Sequence, residues 1–222
     1  MERFSLYKQV HKGIRSVVSG LVEQAGRTDF RSPEEVAQLK ARLDSAFEVF
    51  ESHAAHETEF ITPVLVVCLP QLAADSEAEH REQEMRLRDL RSAFARVVAL
   101  GSKAPALGHA FVVALSRFEG EMLLHMADEE ERLMPALWAR LEDDALRRIH
   151  EALLASLPPE EKARAFGWML PALSAPERAE LLAGVRAVAP PESFAALQGL
   201  ARRVLPAEDW NRLEQALLAT AA

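Results

Sequence analysis

Two stretches of the chain share the pattern His-x-x-x-Glu-x-Glu-x-x-x-Pro, in which x is any residue. The first copy begins at His53 and the second at His125. A separate histidine precedes each copy, His11 before the first and His80 before the second. Imidazoles and carboxylates in this combination are ligands of transition metals. The repeat therefore predicts that both halves of this region contribute to one metal site.

In each copy, a helix would place the histidine and the first glutamate on one face, because residues four apart are neighbours on a helical surface. Each of two helices would then offer one imidazole and one carboxylate to the same site. With the two separate histidines, these groups match a dinuclear, carboxylate-bridged site inside a helical bundle. The six predicted ligands are His11, His53, Glu57, His80, His125 and Glu129.

The predicted ligand set favours iron or manganese as the metal. Neutral imidazole suits iron, zinc, manganese and copper, whereas carboxylates that bridge two metals in a helical bundle favour iron or manganese over zinc. A glutamate buried among leucine and phenylalanine side chains costs free energy unless it has a partner. Two iron ions would satisfy all six groups, with manganese or zinc as the alternatives.

Five further residues lie close to the predicted ligands in sequence. Glu84 falls one turn after the separate histidine of the second copy, and is a candidate ligand or hydrogen-bond acceptor. Arg15 holds the matching place in the first copy and is expected to pair with Glu84. Tyr7 is expected to pack over the site rather than to carry redox chemistry. His56 and Glu130 are expected at the surface or as hydrogen-bond partners of the ligands.

Composition favours an all-helical protein. The chain has 222 residues, 49% of them hydrophobic, and only 9 glycines. Its net charge of −8 argues against a nucleic-acid partner, because binding phosphates requires a basic surface. A single cysteine excludes an intramolecular disulfide, and the longest apolar run is too short to cross a bilayer. These features predict a cytoplasmic protein with no membrane partner.

Hydrophobic residues recur at helical spacing in four long segments. The first covers about residues 4–25, and the second opens with a capping box at Ser32-Pro33-Glu34-Glu35. The third begins near residue 75, and the fourth follows a break at 101–105. Pro63 is expected to kink or end the second helix. If the four helices alternate in direction, as an up-down-up-down bundle, all six predicted ligands meet in one layer.

The sequence pattern changes after about Asp143. Short helical runs there begin with proline and glutamate, and Ser174-Ala175-Pro176-Glu177 matches a capping box. We therefore divide the chain into a four-helix bundle at 1–142 and a subdomain of short helices at 143–222. The subdomain has no recognisable chemistry and is a candidate surface for a protein partner.

The doubled pattern with its upstream histidines resembles the hemerythrin-like superfamily of HHE cation-binding domains, over about residues 4–141. This resemblance implies a four-helix bundle holding two irons, joined by oxo or hydroxo groups and by carboxylates. The bridging carboxylates would be Glu57 and Glu129. The resemblance further assigns the four histidines in pairs: His11 and His53 would bind on one side, His80 and His125 on the other.

Within the superfamily, this ligand set is most similar to the bacterial di-iron proteins that repair iron–sulfur clusters. Oxygen-carrying hemerythrins have a second histidine on the third helix, where this chain has Glu84. They also end with His-x-x-x-x-Asp, where this chain has His125-x-x-x-Glu129. These departures indicate a role other than oxygen transport.

Three hypotheses about function follow. The first is a di-iron protein that binds or senses oxygen, nitric oxide, peroxide or iron, with the C-terminal helices as its readout surface. The second is an enzyme with the same site, such as an oxidase, a peroxidase or a nitric-oxide reductase. The third is an interaction module whose metal is structural.

Overall fold

The computed structural model describes residues 3–100 and 105–219. All regular secondary structure in these residues is helical, as the composition predicts. The elements are α1 (Lys8–Arg27), α2 (Pro33–His56), α3 (Thr62–Cys68), α4 (Pro70–Leu100), α5 (Pro105–Asp128), α6 (Met134–Trp138), α7 (Asp143–Ser156), α8 (Pro159–Ala172), α9 (Ala175–Val188), α10 (Pro191–Val204), α11 (Ala207–Ala219) and two π-helical segments, π1 (Glu57–Ile61) and π2 (Glu129–Leu133). Along these residues, no helix combines the length and apolar character needed to cross a bilayer.

Two of the helix starts show how the sequence determines local structure. At α2, the hydroxyl of Ser32 accepts a hydrogen bond from the backbone N–H of Glu35 at 3.3 Å, as the capping box predicts. At α4, the helix begins at Pro70 rather than near residue 75, and only Leu69 separates it from α3. Proline suits a first helical turn because it has no N–H to leave unsatisfied. Most of the break predicted at 101–105 lies outside the described residues.

The chain stays helical through Pro63, although the α-helical pattern stops before it. The backbone N–H of Thr62 donates to the carbonyl of Glu57, five residues earlier, and this bond closes the wider turn of π1. Pro63 then falls in the first turn of α3. Because proline has no N–H for the carbonyl four residues before it, an α-helical ladder could not run through this point unchanged. The π turn therefore lets the helical path continue where the sequence predicted a kink or an end.

The second copy of the sequence pattern folds in the same way. The N–H of Met134 donates to the carbonyl of Glu129, and Pro135 lies in the first turn of α6. Each π segment begins at a glutamate that the sequence predicts as a metal ligand. Single π turns inside α-helices occur frequently at functional sites. Each copy of the sequence pattern therefore contains a π-helical segment that begins at the first glutamate of the pattern.

The long helices form the predicted four-helix bundle, whose core consists of apolar residues at helical spacing. The ring centroids of Phe94 and Phe111 are 4.8 Å apart, and those of Phe50 and Phe118 are 5.7 Å apart. Other buried members of the core are Val18, Leu21, Leu39, Leu43, Phe47, Leu87, Leu90, Val97 and Leu115.

The described residues form two compact units. The first contains residues 3–8 and 17–155, and the second contains residues 9–16 and 156–219. In the first unit, Arg3 donates to the Asp143 carboxylate at 2.6 Å and to the carbonyl of Leu141, so the chain start is tied to α7. The domain boundary between residues 142 and 143 stays a prediction.

Helices of nearly equal length make up most of the second unit. Helices α8 to α11 have 13 or 14 residues each and begin at residues 159, 175, 191 and 207, a period of 16. Two-residue linkers join them, and α8 packs on α10 while α9 packs on α11. The carboxylate of Glu177 accepts from the N–H of Ser174, as in the predicted capping box, and pairs with Lys12 at 2.5 Å.

A buried arginine crosslinks the second unit. Arg178 is 6% exposed and donates to the carbonyls of Leu170, at 2.8 Å, and Pro171, at 3.2 Å. Its guanidinium also lies 3.0 Å from the carboxylate of Asp209 on α11. Hydrogen bonds and an ion pair within the unit therefore satisfy this buried charge.

Candidate metal centre

The structure brings together the six residues that the sequence predicts as ligands, in two groups of four. One group consists of His11, His53, Glu57 and Glu129, and the other of Glu57, His80, His125 and Glu129. Within each group, one ligand atom from every residue lies within 4.8 Å of the others. Both groups contain the same two glutamates. Each of these carboxylates can therefore contact two metal positions, as a bridge requires.

Glu57 shows this bridging geometry most directly. Its Oε1 lies 3.0 Å from Nε2 of His53, and its Oε2 lies 3.0 Å from Nε2 of His80. The first histidine precedes Glu57 by one turn, while the second belongs to α4. The two oxygens of one carboxylate thus face imidazoles of different groups.

On the α5 side, His125 and Glu129 lie one turn apart. Nε2 of His125 is 3.4 Å from Oε2 of Glu129. The ring centroids of His80 and His125 are 5.2 Å apart, so the two imidazoles of this group meet edge to face. Bundle direction explains the convergence: early residues of α1 and α4 lie level with the last turns of α2 and α5.

The donor atoms suit a metal ion because they are buried. Glu57 and Glu129 are 4% and 3% exposed. Both ring nitrogens of His80 and Nε2 of His125 are buried and make no well-oriented hydrogen bond within the described part of the chain. An unsatisfied buried polar group typically costs about 1–3 kcal/mol. Imidazole nitrogens and carboxylate oxygens that lie within 4.8 Å of one another fit a first-row transition metal.

Electrostatics in the site favour the forms that bind a cation. Burial raises the pKa of Glu57, but the imidazoles of His53 and His80 outweigh it and hold this pKa well below its ordinary value. Burial lowers the pKa of His125, against the opposing effect of its hydrogen bond with Glu79. An ionised carboxylate and a neutral imidazole are the species that coordinate metals.

The sequence analysis missed Glu79, which contacts a predicted ligand. Its Oε2 lies 2.6 Å from Nδ1 of His125, across from α4 to α5. Glu79 adjoins His80 in sequence, and this adjacency was the available signal. However, consecutive residues point in different directions around a helix. Only the placement of α5 beside α4 decides that Glu79 reaches a histidine of the other helix.

Tyr7 lies next to the carboxylates in an apolar cluster. It is 1% exposed and packs in one cluster with Ile61 of π1, Leu65 of α3, Leu133 of π2 and Met134 of α6. Burial raises its pKa well above the ordinary value, and the charges of the two shared glutamates raise it further. Tyr7 is thus a neutral phenol at the side of the site.

The structure does not bring the other four candidate residues into either ligand group. Glu84 is exposed on α4, where its carboxylate lies 3.8 Å from the guanidinium of Arg88, so the structure gives it no ligand role. The inward stripe of α4 runs from His80 through Gln83 to Leu87 and therefore passes beside Glu84. The predicted partner Arg15 is not among the described residues that the Glu84 carboxylate contacts. Half-buried candidates outside both groups are Arg15, His56 and Glu130.

Comparison with known families places this geometry in context. The family model described as "Hemerythrin HHE cation binding domain" matches residues 4–137. This span contains all six residues of the two groups and ends within α6. No curated protein and no solved structure matches the chain.

Proposed function

Because the chain belongs to the hemerythrin HHE cation-binding family, we propose that it holds two iron ions, where oxygen, nitric oxide or peroxide binds as a signal. The observation that carries this proposal is the sharing of Glu57 and Glu129 between two groups of ligand atoms. Two shared carboxylates and four imidazoles match the donor sets of carboxylate-bridged metal pairs in helical bundles.

The ligand number supports a role beyond structure. Each group offers two imidazoles and a share of two carboxylates, which is fewer donors than an octahedral ion accepts. An iron pair of this kind supplies electrons that a small ligand can share reversibly. The protein itself would offset part of the charge of the cations with two buried carboxylates and would bind them with four neutral imidazoles.

The enclosure of the site supports a small ligand. The side chains of His53 and His80 are 10% and 9% exposed, and the other members of the groups are more deeply buried. Tyr7, Ile61 and Leu133 add apolar surface beside the carboxylates. A diatomic molecule or peroxide fits such surroundings better than an organic substrate does, and apolar walls limit the access of water.

Iron content and spectra test this proposal. Protein produced with iron is expected to hold two irons per chain and to show absorption from a bridged iron pair. Adding oxygen or nitric oxide should change that spectrum in proportion to the ligand added. Less than one iron per chain, with no bridged-iron absorption, would contradict the proposal.

The same sample separates the two alternatives. Continuous consumption of oxygen, peroxide or nitric oxide in the presence of a reductant would favour an oxidase, peroxidase or nitric-oxide reductase. A tightly held metal whose spectrum ignores every small ligand would favour a structural metal in an interaction module.

A readout through helices α8 to α11 belongs to the same proposal. These helices repeat every 16 residues, and repeated short helices commonly build extended binding surfaces for proteins. We expect iron loading to change amide hydrogen exchange in α8 to α11, measured by mass spectrometry. Identical exchange in the loaded and metal-free proteins would argue against this readout.

A further inference from the structure

We propose that Glu79 is a positioning residue for the metal-ligand group that contains His125, an inference that rests on the metal binding proposed above. The carboxylate oxygen Oε2 of Glu79 lies 2.6 Å from Nδ1 of His125. The opposite nitrogen of that ring, Nε2, lies 3.4 Å from Glu129. His125 therefore connects a supporting carboxylate on one side to the ligand group on the other.

The hydrogen bond determines which nitrogen of His125 carries the proton. An ionised carboxylate only accepts hydrogen bonds, so Nδ1 is the donor to Glu79. In the neutral ring, Nε2 then carries the lone pair, and it is Nε2 that faces Glu129. A carboxylate in this place also raises the basicity of the imidazole, which strengthens its bond to a metal.

The matching place in the other half of the sequence repeat holds no such group. Glu79 directly precedes His80, and the residue that directly precedes His11 is Val10. A valine side chain cannot accept a hydrogen bond. A carboxylate at this place of the repeat is therefore present in only one of the two halves.

This contact predicts that Glu79 acts on one of the two metal positions. Glu79 supports the group made of Glu57, His80, His125 and Glu129, so its loss should weaken binding there. Mutating an outer-shell partner of a metal ligand typically costs about 10- to 100-fold in metal affinity. Loss of Glu79 should therefore weaken one of two binding steps and leave the other close to its original value.

Cobalt(II) titration of the metal-free full-length protein tests this prediction, with its visible absorption as the signal and a chelator as competitor. Glu79→Val installs the residue of the other half, and Glu79→Gln keeps an acceptor oxygen but removes the charge. Glu77→Gln is the control, because Glu77 lies on the same helix and pairs with the exposed Arg81. We expect one binding step to weaken about 10- to 100-fold in Glu79→Val and less in Glu79→Gln. Glu77→Gln should bind like the wild type.

Proton NMR of the cobalt-loaded proteins adds a readout that general destabilisation would not change. Imidazole N–H protons of ligands to paramagnetic cobalt give separate, strongly shifted signals. One of them, from Nδ1–H of His125, should move in Glu79→Gln and exchange faster with solvent in Glu79→Val. The remaining shifted signals should keep their positions.

The outcomes separate this inference from the proposed function. If the wild type binds two cobalt ions and both Glu79 variants bind them with unchanged affinities, Glu79 has no positioning role. If the wild type binds none, the metal-binding proposal fails and this inference fails with it. If Glu79→Val does not fold, judged by its melting in the metal-free form, the Glu79→Gln titration decides the question.

Discussion

Buried polar groups have different surroundings in two regions of the molecule. These regions are the end of the bundle that contains the six predicted ligands and the helices α8 to α11. In the second unit, buried Arg178 is satisfied by two carbonyls and the carboxylate of Asp209. In the first unit, both ring nitrogens of His80 and Nε2 of His125 are buried without a well-oriented hydrogen bond to any described residue. A buried group with partners inside the chain stabilises the fold, whereas imidazole and carboxylate atoms that converge on one another indicate a site for a metal ion.

The backbones of the two regions differ in the same sense. Helices α8 to α11 are regular, nearly equal in length and joined by linkers of two residues. The bundle instead contains two π segments, each beginning at a shared glutamate. Proteins depart from local structural rules mainly where function requires it. The difference indicates that the π segments of the bundle belong to the candidate metal site. Helices α8 to α11 contain no such segment.

The largest expected effect comes from removing a shared carboxylate. Glu129→Gln replaces a charged ligand of both groups with a neutral amide. We expect iron to fall from two per chain to less than one, measured by metal analysis of the purified protein, because affinity drops by at least about 100-fold. Glu131→Gln is the matched control, since Glu131 lies in the same π segment but is exposed. Full iron content in Glu129→Gln would contradict a role for Glu129 in holding the metal.

Metal removal should destabilise the protein, because the ions bind to the folded bundle. A ligand present at 100 times its dissociation constant stabilises the folded state by about 2.7 kcal/mol per site. For a domain of this size, each kcal/mol shifts the melting temperature by about 2–4 °C. Chelation should therefore lower the Tm of the wild type by about 5 °C or more. Glu129→Gln should show almost no shift, and an equal shift in both proteins would point to an effect of the chelator elsewhere.

Breaking the buried ion pair of the second unit should affect stability without affecting metal. Arg178→Met leaves Asp209 and two carbonyls without their partner, at an expected cost of about 3 kcal/mol in the free energy of unfolding. Denaturant unfolding measures this cost, and metal analysis should still find two irons. Arg202→Met, at an exposed position of α10, is the control. A loss of iron in Arg178→Met alone would contradict the expectation that the ligand groups hold metal without this ion pair.

Acid should remove the stabilisation that Glu177 gives to the second unit. Lys12 and Ser174 lower the pKa of Glu177 from 4.5 to about 2, against the effect of burial. Glu177 therefore stabilises the fold above pH 4.5, and this contribution is lost as the pH falls from 4.5 toward 2. At neutral pH, Glu177→Gln should cost about 1 kcal/mol, because glutamine can keep the capping box but loses the ion pair with Lys12. The difference from wild type, measured by unfolding in the metal-free form, should shrink with acid, while Glu180→Gln should match wild type throughout.

The smallest expected effects come from glycines inside helices. A methyl group added at Gly120 of α5 or Gly184 of α9 would meet no atom within 4 Å. Each alanine substitution should therefore stabilise the protein by up to about 1 kcal/mol, since glycine is a poor helix former. Gly13→Ala should destabilise, because its methyl would lie 2.3 Å from ring atoms of Trp168. Thermal unfolding measures all three, and stabilisation by Gly13→Ala would contradict the close approach of Gly13 and Trp168.

The sequence by itself determined the helical class and the identity of the six converging residues. His53 and Glu57 are four residues apart, so a helix must place them on one face whatever surrounds it. Ser32 and Ser174 likewise start helices through contacts with residues three positions away. These predictions succeeded because the interactions that decide them are local.

Tertiary structure alone decided the rest. Glu79 and His125 are 46 residues apart, and their contact exists only because α4 lies against α5. Glu84 has the right chemistry and spacing for a ligand, but the rotation of α4 places it on the surface. The π turns depend on backbone hydrogen bonds around a proline. The sequence shows where the proline lies but does not specify those hydrogen bonds. Contacts between helices depend on how each rod is rotated and how far it extends, and residue spacing within one helix does not contain that information.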